Sequence, residues 1–182
     1  MRIEVPKEKS TRFINSGNLI LVTSAYKDKT NILPIAWHSP LCRKPPLVGI
    51  SVAKSHLSCE FIQKSGEFII NIPDEPLLKK AVFCGSISGR EREKFSEAGL
   101  TPVKATHLVK TPVIGECAGH IECYVRDTKE FGDHVLFAGE VIYAEAEESL
   151  FRETWNTDKI KLLYHLGGSS FTTSDRTIEI TG

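Results

Sequence analysis

Between Gly17 and Ala53 the chain offers three short extended runs with no helical stretch between them. "GNLILVTSAY" (17–26) and "NILPIAWHS" (31–39) are rich in branched and aromatic residues. Only the polar "KDKT" separates them, which predicts an antiparallel hairpin. Pro34 lacks an N–H for the ladder, so the second run belongs at an edge or a bulge. "PPLVGISVA" (45–53) is the third run. Strands linked this tightly exclude a βαβ crossover, which needs a dozen or more residues between parallel strands. The first third of the chain therefore dictates an antiparallel, mainly β architecture.

The third run is two-faced. Val48, Ile50 and Val52 share one side of an extended chain and Gly49, Ser51 and Ala53 the other. The first side is bulky and suits a core. The second is nearly bare, which allows either close packing against a helix or the approach of a flat ligand to the backbone.

Downstream, "KSHLSCEFIQKSGEF" (54–68) reads as a helix with Ser55 as N-cap, Leu57, Phe61 and Ile62 as its apolar stripe, and Gly66 as its stop. A strand follows at 68–73. A second helix is predicted after Asp74, with Leu77, Leu78, Ala81 and Val82 buried. A third would start at a capping box of Ser88 and Glu91 and end at Gly99. "IGECAGHIECYVRD" (114–127) alternates as a half-buried strand, with Glu116, His120, Glu122 and Arg126 on its polar side. Residues 132–148 make a turn and a long strand, and 159–173 a last strand and a glycine turn. The total, roughly six or seven strands and two or three helices, predicts a β-barrel with helices packed outside.

The 182 residues suit one domain, preceded by a polar arm over residues 1–16. A chain of this size buries roughly 70 % of its unfolded surface and needs no disulfide staples. The formal net charge of zero, without a basic run, argues against a nucleic-acid partner. No apolar stretch is long enough to span a membrane and no signal-peptide core is seen, so a cytoplasmic location is expected. The five cysteines are odd in number and lack a CxxC pair. Cys117 and Cys123 stand about 20 Å apart on an extended strand, beyond the ~7 Å a disulfide allows. They read as buried thiols, and no metal site is expected.

No GxGxxG, GxxxxGK[ST] or GxSxG motif is present, so a Rossmann or P-loop site is not supported. Some stretches bear weaker chemistry. At 51–58 a strand runs into a helix start, where Ser51, Lys54, Ser55 and Ser58 add donors to free backbone N–H groups. That set suits a phosphate, although serine at a helix start is also an ordinary cap. His134 follows Gly132-Asp133 and on spacing alone is an exposed turn residue. Arg90 and Lys94 on spacing alone form a solvated helix face, and Trp37 a core or rim residue.

Their order carries more than any one of them. "NILPIAWHSPLCRKPPLVGISVAKSHLSCEFIQKSGEFIINIP", "CGSISGREREKF", "PVIGECAGHIEC", "GDHVLFAGEV" and "LLYHLGG" together resemble the flavin reductase-like family, in particular its flavoredoxin-type branch. The resemblance spans about residues 17–171 and implies an FMN-binding split β-barrel that pairs as a homodimer. It implies Trp37 and Ser39 along the flavin and its ribityl chain. Ser51, Ala53, Lys54, Ser55, His56 and Ser58 fall on the phosphate-holding segment, Arg90 and Lys94 near the flavin, and His134 beside the ring and the nicotinamide site. The implied activity passes electrons from NAD(P)H through FMN to a flavin or other small-molecule or protein acceptor. The alternative is a flavoredoxin-type carrier reduced by a protein donor.

Overall fold

The computed structural model describes residues 6–14 and 17–178. A 3-10 helix, Lys7–Ile14, precedes the barrel. The predicted arm is thus helical over 7–14, while residues 1–5, 15 and 16 lie outside the described residues. Strands β1 (Ile20–Tyr26) and β2 (Lys29–Ile35) form the expected hairpin. β3 (His38–Arg43) and β4 (Pro46–Ala53) form the next, its turn containing a cis Lys44-Pro45 bond. The predicted single strand over 31–39 is therefore two, broken at Ala36 and Trp37, where the chain leaves one end of the sheet for the other.

That break closes the barrel. The sheet order is β2-β1-β5-β8-β9-β4-β3, with β5 at Glu67–Ile72, β8 at Gly119–Phe131 and β9 at His134–Ala146. Its edge strands, β2 and β3, are consecutive in the chain and joined by only two residues, so the sheet must roll until its edges meet. Pro34 sits on edge strand β2, where its missing N–H is tolerated. Val22, Ile50, Val52, Phe68, Cys123 and Phe137 fill the interior. A Cβ at Gly139 would meet the Phe68 ring at 2.5 Å, so glycine there makes room for the largest core side chain.

Helix α1 (Leu57–Ser65) ends at Gly66 with φ 72°, as predicted. Its N-cap position is held by His56, one residue after the expected Ser55, without a side-chain cap bond. A 3-10 turn at Glu75–Leu77 leads into α2 (Leu78–Ser86). Val82, expected inside, is 45 % exposed, because Leu77, Ala81 and Cys84 already supply the buried stripe. α3 (Lys94–Ala98) is capped by Glu93, whose carboxylate accepts from Phe95 N and Ser96 N, in place of the predicted Ser88–Glu91 box. Gly99 ends it with φ 60°. Short strands β6 (Pro102–Val103) and β7 (Val113–Ile114) pair, as do β10 (Leu163–Gly167) and β11 (Ser170–Thr173).

The polar side of β8 departs most from its reading as a solvated face. Glu122 is 1 % exposed. Residues 105–114 form a strap across it, seated by Ala105, Leu108 and Val113 on Ile69. The Glu122 carboxylate accepts from Thr106 N, His107 N and Leu108 N at 2.7–2.9 Å. Glu67 takes Thr111 N and Oγ1, and Asn71 Oδ1 takes Ile114 N. Cys117 and Cys123 are buried thiols, as expected, and burial pushes both well above the ordinary thiol value. No helix among the described residues is long and apolar enough to cross a membrane.

Candidate functional site

The bare side of β4 lies outside the barrel wall. Ile50 and Val52 point inward, while Gly49, Ser51 and Ala53 face a groove with two adjoining cavities. The register sets Ser51 opposite Leu136 and Ala53 opposite His134, so those β9 side chains share the outer face. Trp37 lies where the chain crosses to β3, and its carbonyl accepts from Ser51 N at 2.9 Å.

The larger cavity, about 300 Å³, is mostly apolar. Trp37, Ser39, Gly49, Ser51 and Leu136 line it, with Thr11 and Ile14 of the N-terminal helix across the groove. Leu41 of β3 stands where a side chain on Gly49 would go, 3.1 Å from that Cβ position, and is itself half exposed. The smaller cavity, about 180 Å³, shares Trp37 and Ser51 and adds the aliphatic residues Leu33, Pro34, Ile35 and Ala36 as well as Ala53, His56, His134 and His165. Three imidazoles from distant parts of the chain meet there, and no carboxylate is among the lining residues.

His134 packs its ring against Trp37, centroids 5.1 Å apart. Its Nδ1 donates to Asp133 Oδ1 at 2.8 Å, which leaves Nε2 as the acceptor of the neutral ring. That hydrogen bond holds the Asp133 carboxyl below its ordinary range. His56 is pushed below the usual histidine value by partial desolvation first, then by Lys94 and His134.

Around the start of α1 the predicted residues fall into two sets. Lys54, Ser55 and Arg90 are exposed. Lys54 pairs with Glu130 at 2.6 Å and Arg90 with Glu60 at 2.9 Å. Ser58 and Lys94 lie beneath the surface and line neither cavity. Ser58 Oγ accepts from Asn31 Nδ2 at 2.9 Å and from Ser24 Oγ at 3.2 Å. Lys94 is 4 % exposed. Its Nζ donates to Ile32 O and Cys84 O at 2.8 and 2.6 Å and makes no ion pair among the described residues. Burial accordingly lowers its affinity for the proton and raises the neighbouring Cys84 thiol to about 11. Asn31 Oδ1 is buried without a hydrogen-bond partner, and the Gly89 backbone passes close against it, leaving no room for a Cβ.

Sequence reasoning missed Asn31, Gly89, Leu136 and His165 as parts of this region. His165 stood in the quoted "LLYHLGG", but no local spacing ties residue 165 to 56 and 134.

Comparison with known proteins agrees with this geometry. A solved flavoredoxin from Methanosarcina acetivorans is 30 % identical, with a TM-score of 0.85, covering 99 % of this chain and 95 % of its own. An FMN-binding protein from Thermus thermophilus superimposes with a TM-score of 0.82 over 100 % of this chain and 98 % of its own; at 22 % identity the likeness is one of fold. An uncharacterized protein of Pyrococcus abyssi is 33 % identical over 153 residues, 84 % of this chain and 87 % of that one. The model of the flavin reductase like domain matches residues 12–172, and with the barrel and groove just described it places this chain in the flavin reductase-like family.

Proposed function

We propose that the chain is an FMN-dependent oxidoreductase, working as a homodimer, that takes electrons from NAD(P)H and passes them to a flavin or another acceptor. The observation that carries this reading is the two-part groove on the bare face of β4. One part is apolar and walled by Trp37 and Leu136; the other sets His56, His134 and His165 beside Leu33, Pro34, Ile35 and Ala36, with no carboxylate among its lining residues. The site fits FMN on its own chemistry. Lys94 is a buried cation without a counter-charge, and an anionic phosphate nearby would supply one.

FMN, when bound, supplies the reversible redox chemistry that links a hydride donor to one- or two-electron acceptors. The chain supplies the holding and orientation. Trp37, Ser39, Ser51 and Ala53 form the wall for the ring and the ribityl chain. Lys54, Ser55, His56 and Arg90 surround the phosphate end, at the start of α1. Ser58 holds the α1 start from below through Asn31 and Ser24. Lys94 acts through its field. His134, fixed by Asp133 and stacked on Trp37, orients the donor.

The likeness to a flavoredoxin over nearly the whole chain favours a second reading, a carrier reduced by a protein donor. Anaerobic stopped-flow absorbance separates the two. FMN-loaded protein is mixed with NADH or NADPH. Loss of the visible flavin band within seconds supports the reductase. A band bleached only by a reduced protein donor supports the carrier. A chain that takes up no FMN ends both. His134→Ala should retain FMN and be reduced more slowly; an unchanged rate removes His134 from the reaction.

A further inference from the structure

We propose that the open end of the barrel, beside the start of β1, is a second binding site, for a neutral and largely apolar small molecule that presents a carbonyl oxygen to Asn18. The site is separate from the flavin groove and does not rest on the FMN reading.

The barrel interior is filled unevenly. Phe68, Cys123, Val135 and Phe137 pack the end near the β8–β9 turn. At the other end β5 and β9 finish and β1 and β8 begin, and there the inward positions stop short. Ala144 stands opposite Ile121 on the inner face, yet it is exposed, and Val48 and Ile121 are only half-buried. Between them and the buried Ile20, Ile70 and Ile72 lies a cavity of about 640 Å³. Phe151 and Trp155, edge to face with centroids 5.0 Å apart, form a further wall. Gly119 admits that wall: a Cβ there would meet the Trp155 ring at 3.2 Å and Glu145 O at 3.0 Å. The volume falls within the roughly 300–1,000 Å³ of small-molecule sites.

The polar groups of the lining select the ligand. His38 Nε2 is 2.6 Å from Asn18 O, Ser39 Oγ donates to Pro40 O at 3.0 Å, and His120 Nε2 is 2.9 Å from Ile114 O. Glu145 accepts from Tyr143 Oη at 3.0 Å and lies 3.4 Å from His120 Nδ1. Asn18 differs. It lines the same cavity, and its Nδ2 is buried with no hydrogen-bond partner among the described residues. An amide nitrogen only donates, so the missing partner is an acceptor. A buried donor left unpaired is costly, and a ligand oxygen removes that cost. A carboxylate would also accept. The described lining, however, holds Glu145 and no lysine or arginine, so an anion would be buried without a counter-charge. An uncharged carbonyl on an apolar body meets both conditions. His38, Ser39 and Gly49 line this cavity and the apolar part of the groove alike. The two sites thus share a wall and can be filled together.

Calorimetric titration of the whole chain, with and without saturating FMN, tests the assignment. The probes are 1-tetralone, its parent hydrocarbon tetralin, and tetralin-1-carboxylate. Expected is about tenfold tighter binding of the ketone than of the hydrocarbon, with the carboxylate weakest and FMN without effect on any of them. Asn18→Leu should abolish the preference for the ketone and retain tetralin. Ala144→Phe, which fills the cavity, should weaken both by about tenfold or more and leave FMN affinity unchanged. Equal affinities for ketone and hydrocarbon, or a preference that survives Asn18→Leu, overturns the inference. So does binding that survives Ala144→Phe, or a tetralone site that FMN closes, which would put the ketone in the flavin groove. No heat with any probe also overturns it. Should Asn18→Leu not fold, Asn18→Asp decides, because it keeps the shape and removes the donor: an unchanged preference for the ketone sinks the proposal.

Discussion

Across β8, Glu122 buries a carboxylate and surrounds it with the N–H groups of Thr106, His107 and Leu108. Beside α1, Lys94 buries an ammonium and meets only two carbonyl oxygens. Both side chains are almost wholly out of water. In the strap, Glu67 with Thr111, Asn71 with Ile114 and Thr23 Oγ1 with Pro112 O likewise complete their hydrogen bonding within the chain. Beneath the start of α1, Asn31 Oδ1 has no partner, and in the groove three histidines line a cavity without a carboxylate. A buried polar group that is fully answered by its own chain holds the fold together. One left short of partners points to a molecule that is to come. By that criterion the strap is architecture and the groove is the candidate site.

If the two regions are separable, Glu122→Gln should damage folding alone. Glutamine brings an N–H₂ donor up against three N–H donors and removes a charge-assisted acceptor. A loss of about 3 kcal/mol of stability is expected. Urea unfolding followed by Trp fluorescence measures it. FMN affinity at a temperature where the variant is folded should match wild type. A fall in affinity would mean that the strap and the groove are coupled.

Ser58→Ala comes next. It removes the shared acceptor of Asn31 Nδ2 and Ser24 Oγ in a fully buried place. About 2 kcal/mol of stability should be lost, because both donors lose this bond at once. Lost FMN affinity should accompany it, since α1 starts one residue earlier. Full stability with weakened FMN would instead make Ser58 a direct phosphate contact.

Lys94→Met reverses the pattern. It relieves a buried charge but deprives Ile32 O and Cys84 O of a donor, and these opposed effects should keep the stability of the cofactor-free chain within about 1 kcal/mol of wild type. FMN affinity should fall about tenfold, or about 1.4 kcal/mol. A large loss of stability without loss of FMN affinity would place Lys94 with Glu122, on the architectural side.

The same division explains what was legible in the sequence. Strand runs, the Pro34 edge and the stops at Gly66 and Gly99 are local signals, and the structure reproduces them. The bare face of β4 was legible because alternation needs only one strand. Glu122 was read as solvated because its strand alternates correctly, while the strap that covers it lies 14–16 residues away in sequence. The cap expected at Ser55 falls at His56, where no side chain caps the helix, and the one expected at Ser88 falls at Glu93, whose carboxylate takes the first free N–H groups of α3. The site itself arises from residues 37, 51, 56, 134 and 165, which only the closed barrel brings together; the order of several weak stretches, read as a family resemblance, stood in for that geometry.

The smallest expected effect concerns His56, and its sign depends on whether the groove is filled. Burial, Lys94 and His134 lower its proton affinity in the folded chain. The unfolded chain then binds the proton more readily, so stability rises with pH through this group. The contribution is complete above the ordinary histidine value of about 6.5 and is lost as the pH falls from there toward the lower folded value. His56→Gln should therefore lose less stability than wild type between about pH 7.5 and about pH 5.5, as read from urea midpoints of the cofactor-free chain. With FMN present the direction should turn. A phosphate beside His56 favours the charged ring, so the extra stability that FMN confers should grow on acidification in wild type and grow less in His56→Gln. A strap histidine offers the contrast: His107 sits against Tyr143, away from the groove, and His107→Gln should leave the FMN-dependent part of the profile unchanged. Equal profiles for both variants, with and without FMN, would show that the groove's histidines are as indifferent to the ligand as those of the strap.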